Sequence, residues 1–273
     1  MKIVLYSDEK YEYQAKSLIQ SINLNVKEEV QIIYYTLGFE SSLNQANLTK
    51  RLFPLNSKIK RFEFYKASVL LDAMEVFGGD IMFLDTDIII GKRFLLTKIK
   101  NNADHPLLPM GNWDFPFIST TIDGKSTNTC DESNLMDYLG VKERTMGYVY
   151  TCIISLNDKC IDIVREWKSV CENEYLQYYS DKFFPFPDET ALNVILWKRK
   201  ITNNWGRVYL NTLEFEPLKY IEENENITGD NRINKGIMNS DLMRCDNSSD
   251  VMFYHGIKDA NELEKTINYY KIN

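Results

Sequence analysis

Ile81-Met82-Phe83-Leu84-Asp85-Thr86-Asp87-Ile88-Ile89-Ile90 is the stretch on which the fold turns. Its first four residues are too apolar for a half-exposed strand, so the pattern predicts a strand set centrally in a sheet. Ahead of it, Phe64, Ala67, Leu71 and Met74 recur at helical spacing, and Leu70, Ala73 and Phe77 widen the apolar face. Gly78-Gly79 ends that helix and Asp80 leads into the strand. Two carboxylates then follow with one residue between them. In an extended chain residues i and i+2 share a face, so Asp85 and Asp87 point the same way and repel unless something offsets their charge. A divalent cation with oxygen ligands, Mg²⁺ or Mn²⁺, is the usual remedy. In open α/β sheets ligands gather at the carboxyl ends of strands, which is where this pair falls. A solvated turn capped by the two acids is the other reading of Asp-x-Asp alone.

Working outward, the chain opens strand–helix–strand. Ile3 to Tyr6 is a β-branched apolar run, Ala15, Leu18, Ile19 and Ile22 form a helical stripe, and Val30 to Tyr35 is a second strand. This βαβ unit implies a parallel sheet. From about residue 100 the texture changes, and 101–135 read as loop-rich surface with isolated aromatics. Beyond it the pattern predicts a strand over 149–156, a helix over 161–171, a helix from about Glu189 to Trp197, a short strand over 251–254, and a last helix marked by Leu263, Ile267 and Tyr270. No repeat or linker interrupts the 273 residues, so one α/β domain is expected.

Composition narrows the function. Hydrophobic residues are 44% and charged residues 26%, ordinary for a globular chain. Lys plus Arg is 32 and Asp plus Glu is 39, giving a net charge of −7. A backbone-tracking nucleic-acid binder is normally basic, so no nucleic-acid partner is expected. No apolar run approaches the roughly 18 residues of a membrane span, and acid arrives too early after Met1 for a secretory signal. The five cysteines (Cys130, Cys152, Cys160, Cys171 and Cys245) contain no CxxC. Reduced thiols and a cytoplasmic protein are the expectation.

Three further positions carry chemistry. His255 follows an apolar strand and precedes Gly256 and Lys258. An imidazole there suits a third metal ligand or a buried, hydrogen-bonded core residue; the glycine permits close backbone approach and the lysine suits a phosphate. His105 sits beside Pro106 in loop texture and is read as incidental. Asp188, with Glu189, precedes a helix, either as its N-cap or as a carboxylate held at a helix start in a cleft.

Taken in order, these pieces resemble GT-A glycosyltransferases. The helix from Phe64 to Asp72, bearing Lys66, followed by the strand ending in Asp85-Thr86-Asp87, is similar to the donor-site segment of that superfamily. Asp188-Glu189-Thr190-Ala191-Leu192-Asn193 resembles its Asp-Gln/Glu-x-x-Leu-Asn stretch, especially in the glycogenin-like and lipopolysaccharide galactosyltransferase-like group. Tyr254-His255-Gly256-Ile257-Lys258-Asp259 resembles that group's C-terminal metal-histidine and phosphate-lysine segment. The resemblance implies a single GT-A domain over 1–273, with a mostly parallel central sheet flanked by helices. Residues 1–100 would form the nucleotide-sugar half and 101–273 the acceptor half.

It further implies that Asp85, Asp87 and His255 hold Mn²⁺ or Mg²⁺, Asp85 also touching the ribose or donor sugar. Lys258 and the backbone at Gly256 would meet the diphosphate, Tyr6 and Ser7 would border the base, and Lys66 would sit near the sugar or phosphates. Asp188, with Glu189, would face the sugar and the acceptor. Trp113, Asp114 and Phe115 would form an acceptor-facing wall or pack in the core. The activity implied is metal-dependent transfer of a hexose from a nucleotide-diphosphate sugar, expected from the resemblance to be UDP-linked, to a hydroxyl of a glycan, lipid-linked or protein acceptor.

Two places depart from the pattern. Tyr150-Thr151-Cys152 stands where the group has Asn-x-Gly, and the His-Gly-Ile-Lys spacing is compressed. A haloacid-dehalogenase-type phosphatase also carries an apolar strand before Asp-x-Asp. Here, however, Ile89 stands where it has Thr or Val, the strand lies well inside the chain, and Asn234 replaces an acid of its later motif. A catalytically dead GT-A-like binding module is the remaining alternative.

Overall fold

The computed structural model describes residues 1–90, 100–109, 120–122, 125–127, 132–183, 186–202, 253–254, 260–261 and 264. Trp113, Asp114, Phe115, Cys130, Cys245, His255, Gly256, Lys258 and most of the expected final helix lie outside them. In chain order the elements are β1 (Lys2–Ser7), α1 (Glu12–Asn25), β2 (Gln31–Leu37), β3 (Leu48–Phe53), α2 (Tyr65–Phe77), β4 (Ile81–Leu84) and β5 (Ile89–Ile90). Then follow β6 (Thr120–Ile122), β7 (Lys125–Thr127), α3 (Ser133–Leu139), β8 (Ile153–Leu156), α4 (Ile161–Cys171), α5 (Glu174–Phe183), α6 (Pro187–Lys198) and β9 (Phe253–Tyr254). The chain folds as two compact units: Met1–Pro54, Ile81–Lys100 and Arg207–Asn273 make the first, and Leu55–Asp80 with Asn101–Gly206 the second.

In the first unit the strands are ordered β3-β2-β1-β4. Every neighbouring pair is parallel, with Ile3 opposite Ile32 and Met82, and Ile33 opposite Thr49. The apolar runs explain the placement: Ile3, Val4 and Leu5 of β1 and all of β4 are buried, as strands covered on both faces must be. The stripe Ala15, Leu18, Ile19 and Ile22 is the buried face of α1, as its spacing predicts. Two polar residues on that helix have a specific task. Ser21 Oγ accepts the Ile90 N–H at 3.0 Å, and Asn25 Nδ2 donates to the Ile90 carbonyl at 2.7 Å, so α1 fixes the backbone of β5. Across from it, β9 pairs antiparallel to β5, with Ile89 opposite Tyr254 and Ile90 opposite Phe253.

In the second unit α2 packs on α4, and α4 and α3 pack on α6. α6 is buried from Pro187 through Trp197, a helix covered all round. The strand expected over 149–156 is shorter, running only from Ile153 to Leu156. The reason lies in where the preceding backbone groups go. Asn193 clamps Val149, accepting its N–H and donating to its carbonyl, both at 2.8 Å. Tyr150 N–H donates to Pro109 and Thr151 N–H to Glu189, both at 2.8 Å. These groups are satisfied outside a ladder, so the strand begins after them. The region 101–135, read as loop-rich, also holds the β6–β7 pair and the first residues of α3.

Gly78 closes α2 as expected, its N–H donating to the Met74 carbonyl at 3.0 Å, with φ +59° and ψ −177°. That conformation is nearly confined to glycine. Gly140, after α3, sits in the ordinary left-handed region at φ 71°, ψ 27°. Gly78→Ala should therefore cost about 1–3 kcal/mol of unfolding free energy and Gly140→Ala about 1 kcal/mol. Urea denaturation of both variants checks the order, and equal losses would contradict it.

Candidate active site

β1 and β4 are parallel neighbours, so their carboxyl ends share one edge of the sheet. Ser7 closes β1 there. Its hydroxyl shares a hydrogen bond of 2.6 Å with the Tyr34 phenol on β2, and both side chains are buried. Burial pushes the Tyr34 phenol well above its usual range, against the hydrogen bond from Ser7, which pulls it down. Tyr6 is buried too, its ring stacked on Phe83 with centroids 5.8 Å apart. Of these two sequence-predicted residues, the side chains therefore belong to the sheet.

Asp85, Thr86 and Asp87 follow β4 at the same edge. They form a turn rather than an extension of the strand, closed by Ile88 N–H donating to the Asp85 carbonyl at 3.2 Å. Asp85 and Asp87 therefore do not share a face as residues of an extended strand would, because the backbone bends at the first acid. The acids nonetheless share an environment. Both are half-buried, and the intervening Thr86 is buried, donating to Gln14 Oε1 of α1 at 3.4 Å. Among the described residues no group of three or more His, Cys, Asp or Glu side chains is placed to hold a metal ion. The expected third ligand, His255, directly follows Tyr254, which stands opposite Ile89, two residues beyond Asp87. Two half-buried carboxylates at this edge are the hard oxygen donors that Mg²⁺ or Mn²⁺ prefers.

The second unit brings together Lys66, Asp188 and Glu189, which are only 4%, 3% and 8% exposed. Lys66 lies in the first turn of α2. Asp188 and Glu189 lie in the first turn of α6, after Pro187 at the first helical position. Asp188 does not cap this helix, as one of its two sequence readings had it. The N-cap position is Phe186, and the Asp188 carboxylate turns instead to Lys66 Nζ at 3.3 Å. The residue that organises the cluster is Thr151. Its N–H donates to Glu189 Oε2 at 2.8 Å and its hydroxyl donates to Asp188 Oδ2 at 3.3 Å. Its carbonyl and hydroxyl oxygens both lie 3.2 Å from Lys66 Nζ, which donates to them. Trp167 Nε1 donates to the Asp188 carbonyl at 2.8 Å, fixing the helix start.

Glu189 carries the largest consequence. Burial, and next the Asp188 carboxylate, push its carboxyl up to about 8; the Thr151 N–H and Lys66 pull the other way. At neutral pH it therefore holds a proton. Lys66 and Asp188 then form a pair of net zero charge, which is how three ionisable groups tolerate one dry site. Tyr148, whose hydroxyl is 3.1 Å from Thr190 Oγ1, is likewise held far above its usual range, by burial first and then by Glu189. Thr151 and Tyr148 were not site candidates on sequence grounds. The only signal was that Thr151 occupies the place where the resembling group has Asn-x-Gly.

The fold is similar to that of solved glycosyltransferases. One is the galactosyltransferase LgtC in complex with donor and acceptor sugar analogs, with a TM-score of 0.56 and 12% identity over 98% of this chain and 96% of that one. Another is the bifunctional glycosyltransferase WbbM in its apo form, with a TM-score of 0.56 and 13% identity over 98% of this chain and 49% of that one. The chain thus spans about half the length of WbbM. No protein-family model matches it, and no curated protein sequence does. At these identities the likeness is one of fold, and the fold is the GT-A arrangement that the sequence motifs imply.

The Glu189 proton has a measurable effect. An unfolded glutamate loses its proton near its ordinary 4.5, the folded one near about 8. Between these values the native state binds the extra proton, so stability falls as pH rises through the window. Glu189→Gln cannot titrate and should remove that fall, on the order of a few kcal/mol across the window. Chemical denaturation at both ends of the window checks this, and parallel pH profiles for the two proteins would contradict it.

Proposed function

We propose that the chain is a metal-dependent glycosyltransferase moving a hexose from a nucleotide-diphosphate sugar, UDP-linked by resemblance, to a hydroxyl acceptor. The fold shared with glycosyltransferase structures supports the class of reaction. The observation that carries the metal reading is the β5–β9 register, which brings the chain at Tyr254 alongside the strand that follows Asp87. Asp85, Asp87 and His255 would hold Mn²⁺ or Mg²⁺. When bound, such a cation offsets the charge that develops on a departing diphosphate. Lys258 and the backbone at Gly256 are assigned to the diphosphate. Tyr6 and Ser7 border the base, and Ser7 does so through its backbone, because its hydroxyl is engaged by Tyr34.

In the second unit Asp188 and Glu189 are the acid–base candidates, and their environments separate their roles. A carboxyl that already holds its proton at neutral pH does not take another. Of the two, Asp188 is therefore the candidate for steering or deprotonating an acceptor hydroxyl, with Lys66 as its counter-charge. Glu189 serves as a neutral hydrogen-bonding group.

Hydrolysis of UDP-glucose and UDP-galactose in the presence of Mn²⁺ tests the reading. Turnover is expected with one of them, stopped by a chelator and reduced about a hundredfold or more by Asp87→Ala. Turnover of a generic phosphate monoester that disappears in Asp85→Asn would instead establish a phosphatase. Metal-dependent UDP binding without turnover, or no binding at all, would leave a binding module and overturn the proposal.

A further inference from the structure

A second feature of the second unit stands apart from the Lys66–Asp188–Glu189 cluster. A groove of about 450 Å³ is bounded by Tyr138 of α3, Glu166, Ser169 and Val170 of α4, Asn173 in the turn after α4, and Lys198 of α6. We infer that this groove binds an uncharged pyranose, as a free sugar or as one residue of a glycan.

Tyr138 is a large aromatic left 50% exposed. It is nonetheless held in place. Its ring stacks on Tyr175 with centroids 4.3 Å apart and planes 4° from parallel, and its hydroxyl donates to Asn173 Oδ1 at 3.3 Å. The same oxygen accepts the Tyr175 N–H at 2.8 Å, so the two rings and the turn are tied to one atom. A half-exposed ring whose position is fixed is a preorganised apolar platform.

The charges in the groove are closed on each other. Glu166 takes Lys198 Nζ on one oxygen at 3.0 Å and Arg199 Nε on the other at 2.8 Å. An ionic ligand would have to compete with those pairs. Two neutral groups stay uncommitted: Asn173 Nδ2 and Ser169 Oγ make no hydrogen bond among the described residues. A half-exposed aromatic ring beside an amide donor and a hydroxyl that have no partner among the described residues matches a molecule with one C–H face and a rim of hydroxyls. That is the description of a neutral pyranose.

The inference does not depend on the reaction proposed above, and its test leaves that reaction out. Saturation-transfer NMR is recorded on the full chain with methyl β-D-glucopyranoside and methyl β-D-galactopyranoside, with a chelator and no nucleotide present. Transfer to the ring protons of at least one glycoside is expected. It should weaken about tenfold or more in Tyr138→Ala, vanish in Ser169→Trp, which fills the groove, and persist in Asp87→Ala. Unchanged circular dichroism establishes that the first two variants fold. The inference is overturned if neither glycoside binds, if Tyr138→Ala and Ser169→Trp bind as the native chain does, or if adenosine binds at Tyr138 and the glycosides do not.

Discussion

Parallel pairing is the constraint from which the first unit follows. Strands that run the same way end at the same edge, and side chains just past their last residues are collected there whatever their distance in sequence. The pairing of β1 with both β2 and β4 sets Ser7 and the Asp85–Asp87 turn at one such edge. It also explains why the acids are half-buried rather than solvated. The strand before them is buried, and Thr86 between them turns inward to α1. The same helix reaches further, since Ser21 and Asn25 hold both backbone groups of Ile90. β9 thus pairs with a strand whose backbone the first helix fixes.

The second unit answers a different problem, the burial of Lys66, Asp188 and Glu189 within one site. Removing isolated charges from water is costly, and the structure meets that cost in three ways. Lys66 pairs with Asp188, Glu189 keeps its proton, and Thr151 supplies a donor to each carboxyl group while its oxygens receive the lysine. The neighbouring backbone at Val149 is locked by Asn193. A network so completely engaged resists rearrangement.

Much of this was legible in the residues. β1, β2 and β4 are readable because each is a short unbroken apolar run, and α1, α2 and α4 because apolar residues recur at helical spacing. β3 leaves no clear signal because Leu48-Thr49-Lys50-Arg51-Leu52-Phe53 is half polar, without apolar–polar alternation, and partly exposed, so the neighbouring strand defines it rather than its own pattern. The β8 boundary was misjudged because Asn193, distant in sequence, intercepts the backbone at Val149. Asp85-Thr86-Asp87 was found from its apolar flanks, but its turn geometry was not, since a bend after a strand leaves no periodicity to read. Thr151 escaped for a similar reason. A small polar residue acquires importance only when the two carboxylates and Lys66 arrive around it.

We propose that an imidazole from the C-terminal segment joins the two aspartates on one divalent ion. Electron spin-echo spectroscopy of Mn²⁺ added with UDP addresses it directly, because a coordinated histidine nitrogen modulates the echo. The account requires that modulation in the native chain and its loss in His255→Ala. Mn²⁺ that binds with UDP to the native chain and shows no nitrogen modulation would contradict it.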